Sequence, residues 1–190
     1  SSRGIGKAIA LGLASEGVTL VIAARSTESR PQSPGSIYDT AREIELLGGK
    51  ALPVECNVRE AASIQEMVKK SVESLGRVDV LINNAGVGNY SGFLETSLKA
   101  WDLVMDIDLR APFICCQEVV PIMIKQQSGS IINISSHAAT NIFSSTLSED
   151  SSAGIALMGQ AYGTAKAGLE RFTWGLAAEL GEHNIAVNIL

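Results

Sequence analysis

The chain has 190 residues, 46% of them hydrophobic and 18% charged, a composition that suits one globular domain with a sizeable core and not a disordered segment. Its formal net charge of −5 argues against a nucleic-acid or anionic-membrane partner, because both need a basic surface. No apolar run reaches the length of a membrane span, and Cys56, Cys115 and Cys116 show neither metal-type nor redox-type spacing, so a reducing, cytoplasmic setting is expected.

Taken in order, the chain alternates helix and strand. Ile5 to Glu16 reads as a helix stopped by Gly17, and the apolar run Val18 to Ala24 as a strand buried on both faces. Thr27 to Ser36, with two prolines and a glycine, is a loop. A helix from Ile37 to Leu47 ends at Gly48 and Gly49, and Lys50 to Glu55 is a short strand. Glu60 to Leu75 carries Ile64, Met67, Val68, Val72 and Leu75 on one stripe and is an amphipathic helix. Val78 to Ile82 is the next strand. A long helix from Leu98 to about Gln127 is interrupted by Pro112 and Pro121. Ser130 to Ile134 is a strand, Thr140 to Gly159 is weakly patterned, Gln160 to Leu180 is a helix ended by Gly181, and Asn184 to Leu190 is the last strand. This alternation predicts a doubly wound, Rossmann-like α/β fold, with a parallel sheet between two layers of helices. No repeat or linker divides the chain, so a single domain is expected.

Gly4 and Gly6 lie at the mouth of the first helix. Glycine lets a backbone approach a pyrophosphate closely, and a helix N-terminus offers free N–H groups and positive potential. Two helix-start glycines with no ligand are the plain alternative. The common dinucleotide pattern Gly-x-Gly-x-x-Gly is not met, because Ile9 stands at the third glycine position.

The opening Ser1-Ser2-Arg3-Gly4-Ile5-Gly6 resembles instead the Thr-Gly-x-x-x-Gly-x-Gly turn of the short-chain dehydrogenase/reductase family. In that alignment the Thr-Gly pair and the first, central strand precede residue 1, and the chain is expected to be a fragment. Asn83-Asn84-Ala85-Gly86, directly after a predicted strand, matches the family's tetrapeptide at that place. Cys56-Asn57-Val58 stands where the family usually has an Asp-Val that touches adenine. Asn57 replaces the aspartate, and its amide oxygen can still accept a hydrogen bond. The resemblance implies cofactor contacts from Ser2, Arg3, Gly4, Ile5, Gly6, Asn57, Val58, Asn84, Ala85 and Gly86. The loop Glu28 to Tyr38 is longer than usual and resembles members related to hydroxysteroid dehydrogenase-like proteins.

An acidic residue at the end of the second family strand would mark NAD. Here Ala24 is followed by Arg25, and Arg3 lies in the glycine turn. In the family a basic residue at either place favours the 2′-phosphate, so NADP(H) is expected ahead of NAD(H).

Tyr162-Gly163-Thr164-Ala165-Lys166 is a Tyr-x-x-x-Lys sequence, and residues four apart share a helical face. A free tyrosine, with a pKa of about 10, stays protonated near neutrality, but a neighbouring ammonium favours phenolate. Upstream, Gly129 to Ser136 resembles the family strand that ends in two serines. By that resemblance Ser136 orients and polarises a carbonyl, Tyr162 is the general acid/base, and Lys166 holds the nicotinamide ribose and lowers the tyrosine pKa. Hydride chemistry belongs to the cofactor, and no metal is required. His137 beside Ser136 does not make a hydrolase, because no Gly-x-Ser-x-Gly elbow is present.

Two departures from the family stand out. Ser136 and Tyr162 are 26 positions apart, more than usual, and the excess, Asn141 to Gly159, reads as an insertion that shapes substrate access. Asp108 occupies a position where the family commonly has an asparagine whose main-chain carbonyl holds a relay water. Pro112 has no N–H to give the Asp108 carbonyl, which frees it either for such a water or for nothing more than a kink. The expected function is a carbonyl–alcohol oxidoreductase acting on a small molecule. A dinucleotide-binding module without turnover is the alternative of a different class, and a 3-oxoacyl thioester reductase is an alternative substrate reading. Apolar residues off the sheet-facing stripes, among them Phe113, Ile114, Phe172 and Trp174, suggest a homo-oligomer, a tetramer in the family pattern.

Overall fold

The structure, a computed structural model, describes residues 1–32, 34–89, 91–140 and 159–190. They form two compact units, Ser1–Val78 and Asp79–Leu190.

The first unit begins with α1 (Gly4–Leu13), which tightens into a 3-10 turn over Ala14–Glu16 and stops at Gly17, whose φ of 74° places it in the left-handed region. β1 (Thr19–Ala24) comes next, then α2 (Ile37–Leu46), β2 (Lys50–Glu55) and α3 (Ala61–Leu75). Ser36 and Asp39 cap α2 reciprocally: Ser36 Oγ accepts from the Asp39 N–H at 3.0 Å, and Asp39 Oδ2 accepts from the Ser36 N–H at 3.0 Å. β1 and β2 pair in parallel from Thr19–Lys50 to Ala24–Glu55. Ala10, Ala14, Ile22, Ile37 and Ile44 form the core between α1, α2 and the sheet. Small residues on α1 let it lie close to β1.

The second unit holds β3 (Val80–Asn83), α4 (Leu98–Met105), α5 (Ala111–Gln126), β4 (Gly129–Asn133), α6 (Gln160–Leu180) and β5 (Ile185–Ile189). Its strands run parallel in the order β3-β4-β5, with Asn83 opposite Asn133 and Asn133 opposite Ile189. The parallel strands and intervening helices make the Rossmann-like α/β fold expected from the sequence. The ladder comes in two parts rather than one, because β1 pairs with β2 and β3 with β4. In place of the single sheet expected from the alternation, each unit carries its own parallel ladder.

The long helix differs from its expectation. Between α4 and α5, Asp106–Arg110 winds as a π turn, with the Ala111 N–H bonded to the Asp106 carbonyl five residues back. Pro112 comes directly after, so the wider turn sits where the α-helical bond to Asp108 has no donor. Pro121, by contrast, stays inside α5 without ending it. The carbonyl it leaves without a donor is that of Gln117, an exposed residue, so water can take it. No helix among the described residues is long and apolar enough to cross a membrane.

Candidate active site

At the opening of α1, Arg3 has extended backbone (φ −166°, ψ 178°) and Gly4 has φ 57°. The N-cap residue Arg3 makes no side-chain capping hydrogen bond to α1, so its side chain does not take up the first N–H groups of the helix. Ser2 is buried, and Ile5 is 64% exposed at the mouth of the helix. Gly6 packs inward. Gly35, from the loop before α2, lies so close to the Ser2 carbonyl that a β-carbon there would overlap it. The loop therefore returns to the glycine turn. Arg25 is exposed directly after β1. Asn57 is engaged at the start of the α3 segment: its side-chain amide donates to Glu60 at 2.5 Å, its Oδ1 accepts from the Arg59 N–H at 3.4 Å, and its own N–H reaches Ser63 Oγ at 2.9 Å. Asn57 Oδ1 retains a second lone pair. Val58 beside it is half-buried.

The second unit gathers the other residues. Lys166, on α6, is only 4% exposed. Its Nζ donates to the Ile134 carbonyl at 2.8 Å, lies 3.3 Å from Asp108 Oδ1, and stands 5.6 Å from the centre of the Tyr162 ring. Tyr162 itself packs on a cluster of Val104, Ala161 and Ala165, with Val87, Trp101, Met105 and Leu109 around it. Asp108, fully buried in the π turn, accepts from the Val87 N–H through Oδ2 at 2.9 Å. Its Oδ1 has the ion-pair contact with Lys166 but no hydrogen bond. Burial pushes the Asp108 carboxyl above its ordinary value, against the opposing pull of the Val87 N–H and the Lys166 ammonium.

The Asn84-Ala85-Gly86 loop explains why this arrangement fits. A β-carbon on Gly86 would lie 2.8 Å from Asp108 Oδ1 and 3.7 Å from Lys166 Nζ. The glycine leaves that space to the charged pair. Gly86 and Ala85 are exposed and Asn84 is half-buried, so the loop presents one face to solvent while its other side covers the ion pair.

Ser136 caps a 3-10 turn, His137–Ala139, with its Oγ accepting from the Ala138 N–H at 3.2 Å. The start of α6 packs directly on this turn. A β-carbon on Gly163 would come within 2.9 Å of the Ala138 carbonyl, so the residue after Tyr162 has to be small. The expected insertion falls at 141–158, outside the described residues, and only Gly159 at its end is described.

Several residues that tie together the elements around the candidate site were given no role of their own from the sequence. Asn83 Nδ2 donates to Asn133 Oδ1 at 2.8 Å, and Asn133 Nδ2 donates to Thr173 Oγ1 at 2.8 Å, a buried polar chain from β3 through β4 to α6. Cys116 closes it at 3.6 Å from Asn83 Nδ2, and burial raises that thiol to about 12, which leaves it no nucleophile. Ser135 Oγ donates to Glu170 Oε1 at 2.8 Å. A signal existed: an asparagine inside the apolar run Ile131-Ile132-Asn133-Ile134 breaks the pattern of a buried strand and calls for a buried partner.

A family model described as short chain dehydrogenase matches residues 1–190. A hydroxysteroid dehydrogenase-like protein 2 of Danio rerio is 43% identical over 135 residues, 71% of this chain and 32% of its own length. The Homo sapiens protein of that name is 36% identical over the whole chain and 43% of its own length. The chain thus spans well under half the length of these curated relatives. Among solved structures, a metagenomic short-chain oxidoreductase in complex with NADP superposes with a TM-score of 0.84 at 33% identity, over 98% of this chain and 76% of that one. A putative short-chain alcohol dehydrogenase from Sinorhizobium meliloti 1021 gives 0.83 at 29% identity, over 98% and 66%.

Proposed function

Because the chain belongs to the short-chain dehydrogenase family, we propose that it is an NADP(H)-dependent oxidoreductase interconverting a carbonyl and a secondary alcohol, with Tyr162 as general acid/base. The observation that carries the reading is the buried Lys166 ammonium, held by Ile134 and placed beside the Tyr162 ring. A cation there favours the phenolate and so makes Tyr162 a better base near neutrality. In reduction Tyr162 gives its hydroxyl proton to the carbonyl oxygen, and in oxidation it takes the alcohol proton. Ser136, whose Oγ accepts from the Ala138 N–H, keeps its own hydroxyl proton for the substrate oxygen.

In each unit the residues suit the part of a dinucleotide assigned to them. The uncapped start of α1 at Gly4 and Gly6 suits a pyrophosphate, with Ser2 and Ile5 flanking it. Arg3 and Arg25 are assigned to a 2′-phosphate, Asn57 and Val58 to adenine, and Asn84, Ala85, Gly86, Tyr162 and Lys166 to the nicotinamide end. When bound, the nicotinamide supplies or receives the hydride. The NADP held by the metagenomic relative supports the choice of cofactor.

A homo-oligomer is part of the proposal. Phe113 and Phe172 meet edge to face at 5.9 Å beside Met105 and Leu109, and Trp174 is 61% exposed on the same helix as Phe172. A monomeric mass by light scattering at micromolar concentration would refute it.

Tyr162→Phe removes one hydroxyl and keeps the ring packing. Turnover on a ketone that the wild type reduces should fall by about 10²–10⁴-fold, as for loss of general acid–base catalysis. NADPH binding should barely change, whereas Lys166→Ala should impair binding and turnover together. Wild-type turnover in Tyr162→Phe refutes the assignment. NADPH binding without turnover by the wild type on a broad carbonyl panel would favour the second reading, a binding module, to which the Asp108 carboxyl against Lys166 lends support.

A further inference from the structure

One face of α6 makes three polar contacts with three consecutive residues, the last of β4 and the two that follow it. Thr173 Oγ1 accepts from Asn133 Nδ2, Lys166 Nζ donates to the Ile134 carbonyl, and Glu170 Oε1 accepts from Ser135 Oγ, each at 2.8 Å. Lys166, Glu170 and Thr173 are spaced by four and three, so they share one side of the helix. Asn133 and Ser135 are two apart, so in extended chain they project to one side, while Ile134 between them offers its backbone. The spacing of a helix is thereby matched to the spacing of a strand.

The three contacts differ in kind. The Asn133–Thr173 contact is buried on both sides and Lys166 is nearly so. Glu170 and Ser135 are only partly buried, and theirs is the contact nearest the turn that carries Ser136. The Ser135 main chain is held separately, by its N–H to the Leu190 carbonyl at 2.6 Å. Losing the Glu170 contact would leave this one main-chain bond, and Ser135, with Ser136 after it, would be free to shift against α6.

We propose that Glu170 is a positioning residue, whose carboxylate holds the Ser135 hydroxyl and so sets Ser136 at a fixed place relative to Tyr162 and Lys166 on the same helix. This rests on the reading of Ser136, Tyr162 and Lys166 given above. Ser136 gains its geometry from two sides: Ser135 anchors the chain before it, and the Ala138 N–H bond forms the turn after it. Both anchors bear on α6, the first through Glu170 and the second through the close packing of Gly163 on the Ala138 carbonyl.

Glu170→Ala, Glu170→Gln and Ser135→Ala, singly and with Glu170→Ala/Ser135→Ala combined, test the proposal by steady-state kinetics, NADPH titration and thermal melting, with Tyr162→Phe as control. Misplacing a reacting group by about 1 Å costs on the order of 10²-fold. Glu170→Ala and Ser135→Ala should each lower kcat by about tenfold or more, and the double variant no further. NADPH affinity and melting temperature should stay near wild type. Glu170→Gln keeps an acceptor oxygen and should restore most of kcat. Wild-type kcat in Glu170→Ala with a dead Tyr162→Phe overturns this proposal alone, while an active Tyr162→Phe overturns the site reading and this proposal with it. A fall in kcat matched by loss of NADPH affinity or early melting, or a Glu170→Gln as slow as Glu170→Ala, also overturns it.

Discussion

Lys166 Nζ and Asp108 Oδ1 lie 3.3 Å apart, with side chains 5% and 0% exposed. Burial makes the Asp108 carboxyl hold its proton more readily in the folded chain than in the unfolded one. Its contribution to stability is fully present below the unfolded value, ~4 for aspartate, and is lost as pH rises through the raised folded value. An asparagine has no such loss. Asp108→Asn should therefore gain stability relative to wild type as pH rises from about 4 towards neutrality. Urea melts at stepped pH measure the difference, and a constant offset between the two proteins contradicts the expectation. If Lys166 serves Tyr162 as proposed, the pH profile of turnover should also shift, since the same carboxyl faces Lys166.

Gly86→Ala inserts a methyl group 2.8 Å from Asp108 Oδ1. Overpacking of this kind costs about 1–3 kcal/mol, and the carboxyl must move off Lys166 to make room. Denaturant unfolding and turnover should both suffer. Adding Asp108→Ala should recover part of the stability, as expected of residues in contact. Strict additivity of the two substitutions is the contrary result.

Arg25→Asp and Arg3→Ala address cofactor choice. Arg25 is exposed just past β1, where a carboxylate would bind the ribose hydroxyls of NAD. Arg25→Asp should move the kcat/KM ratio from NADP towards NAD, and Arg3→Ala should weaken NADP more than NAD. Unchanged discrimination in both variants removes the two arginines from the 2′-phosphate.

Thr173→Val keeps the shape of a side chain that is 1% exposed but deletes the acceptor for Asn133 Nδ2. Asn133 is fully buried, so its N–H is left without a partner at a cost of about 1–3 kcal/mol. A urea midpoint equal to that of wild type would show that the amide finds another acceptor.

How far each feature was legible in the sequence depends on the range of the forces that shape it. β2 and α6 match their expected bounds to the residue, because glycines and apolar runs delimit them locally. The Tyr162–Lys166 pair was legible for the same reason, since one helix sets its spacing. Which strands pair with which was not, because pairing depends on strands far apart in sequence. Nor was the bond from Glu170 to Ser135, 35 residues apart, which depends on how α6 lies on β4. Pro112 pointed to a break at Asp108, but the π form of the break depends on packing around a buried carboxyl.

That π turn makes the segment sensitive to residue number. It holds one residue more than an α-helical turn could, and each residue added to or removed from an α-helix rotates the downstream chain by about 100°. Deleting Asp106, Ile107, Leu109 or Arg110 would let the helix rewind without the bulge. Asp108 would then swing away from Val87 and Lys166, even though every remaining side chain was unchanged. Substitutions in this stretch alter chemistry by degrees, whereas a single lost codon would remove the carboxyl from the site altogether.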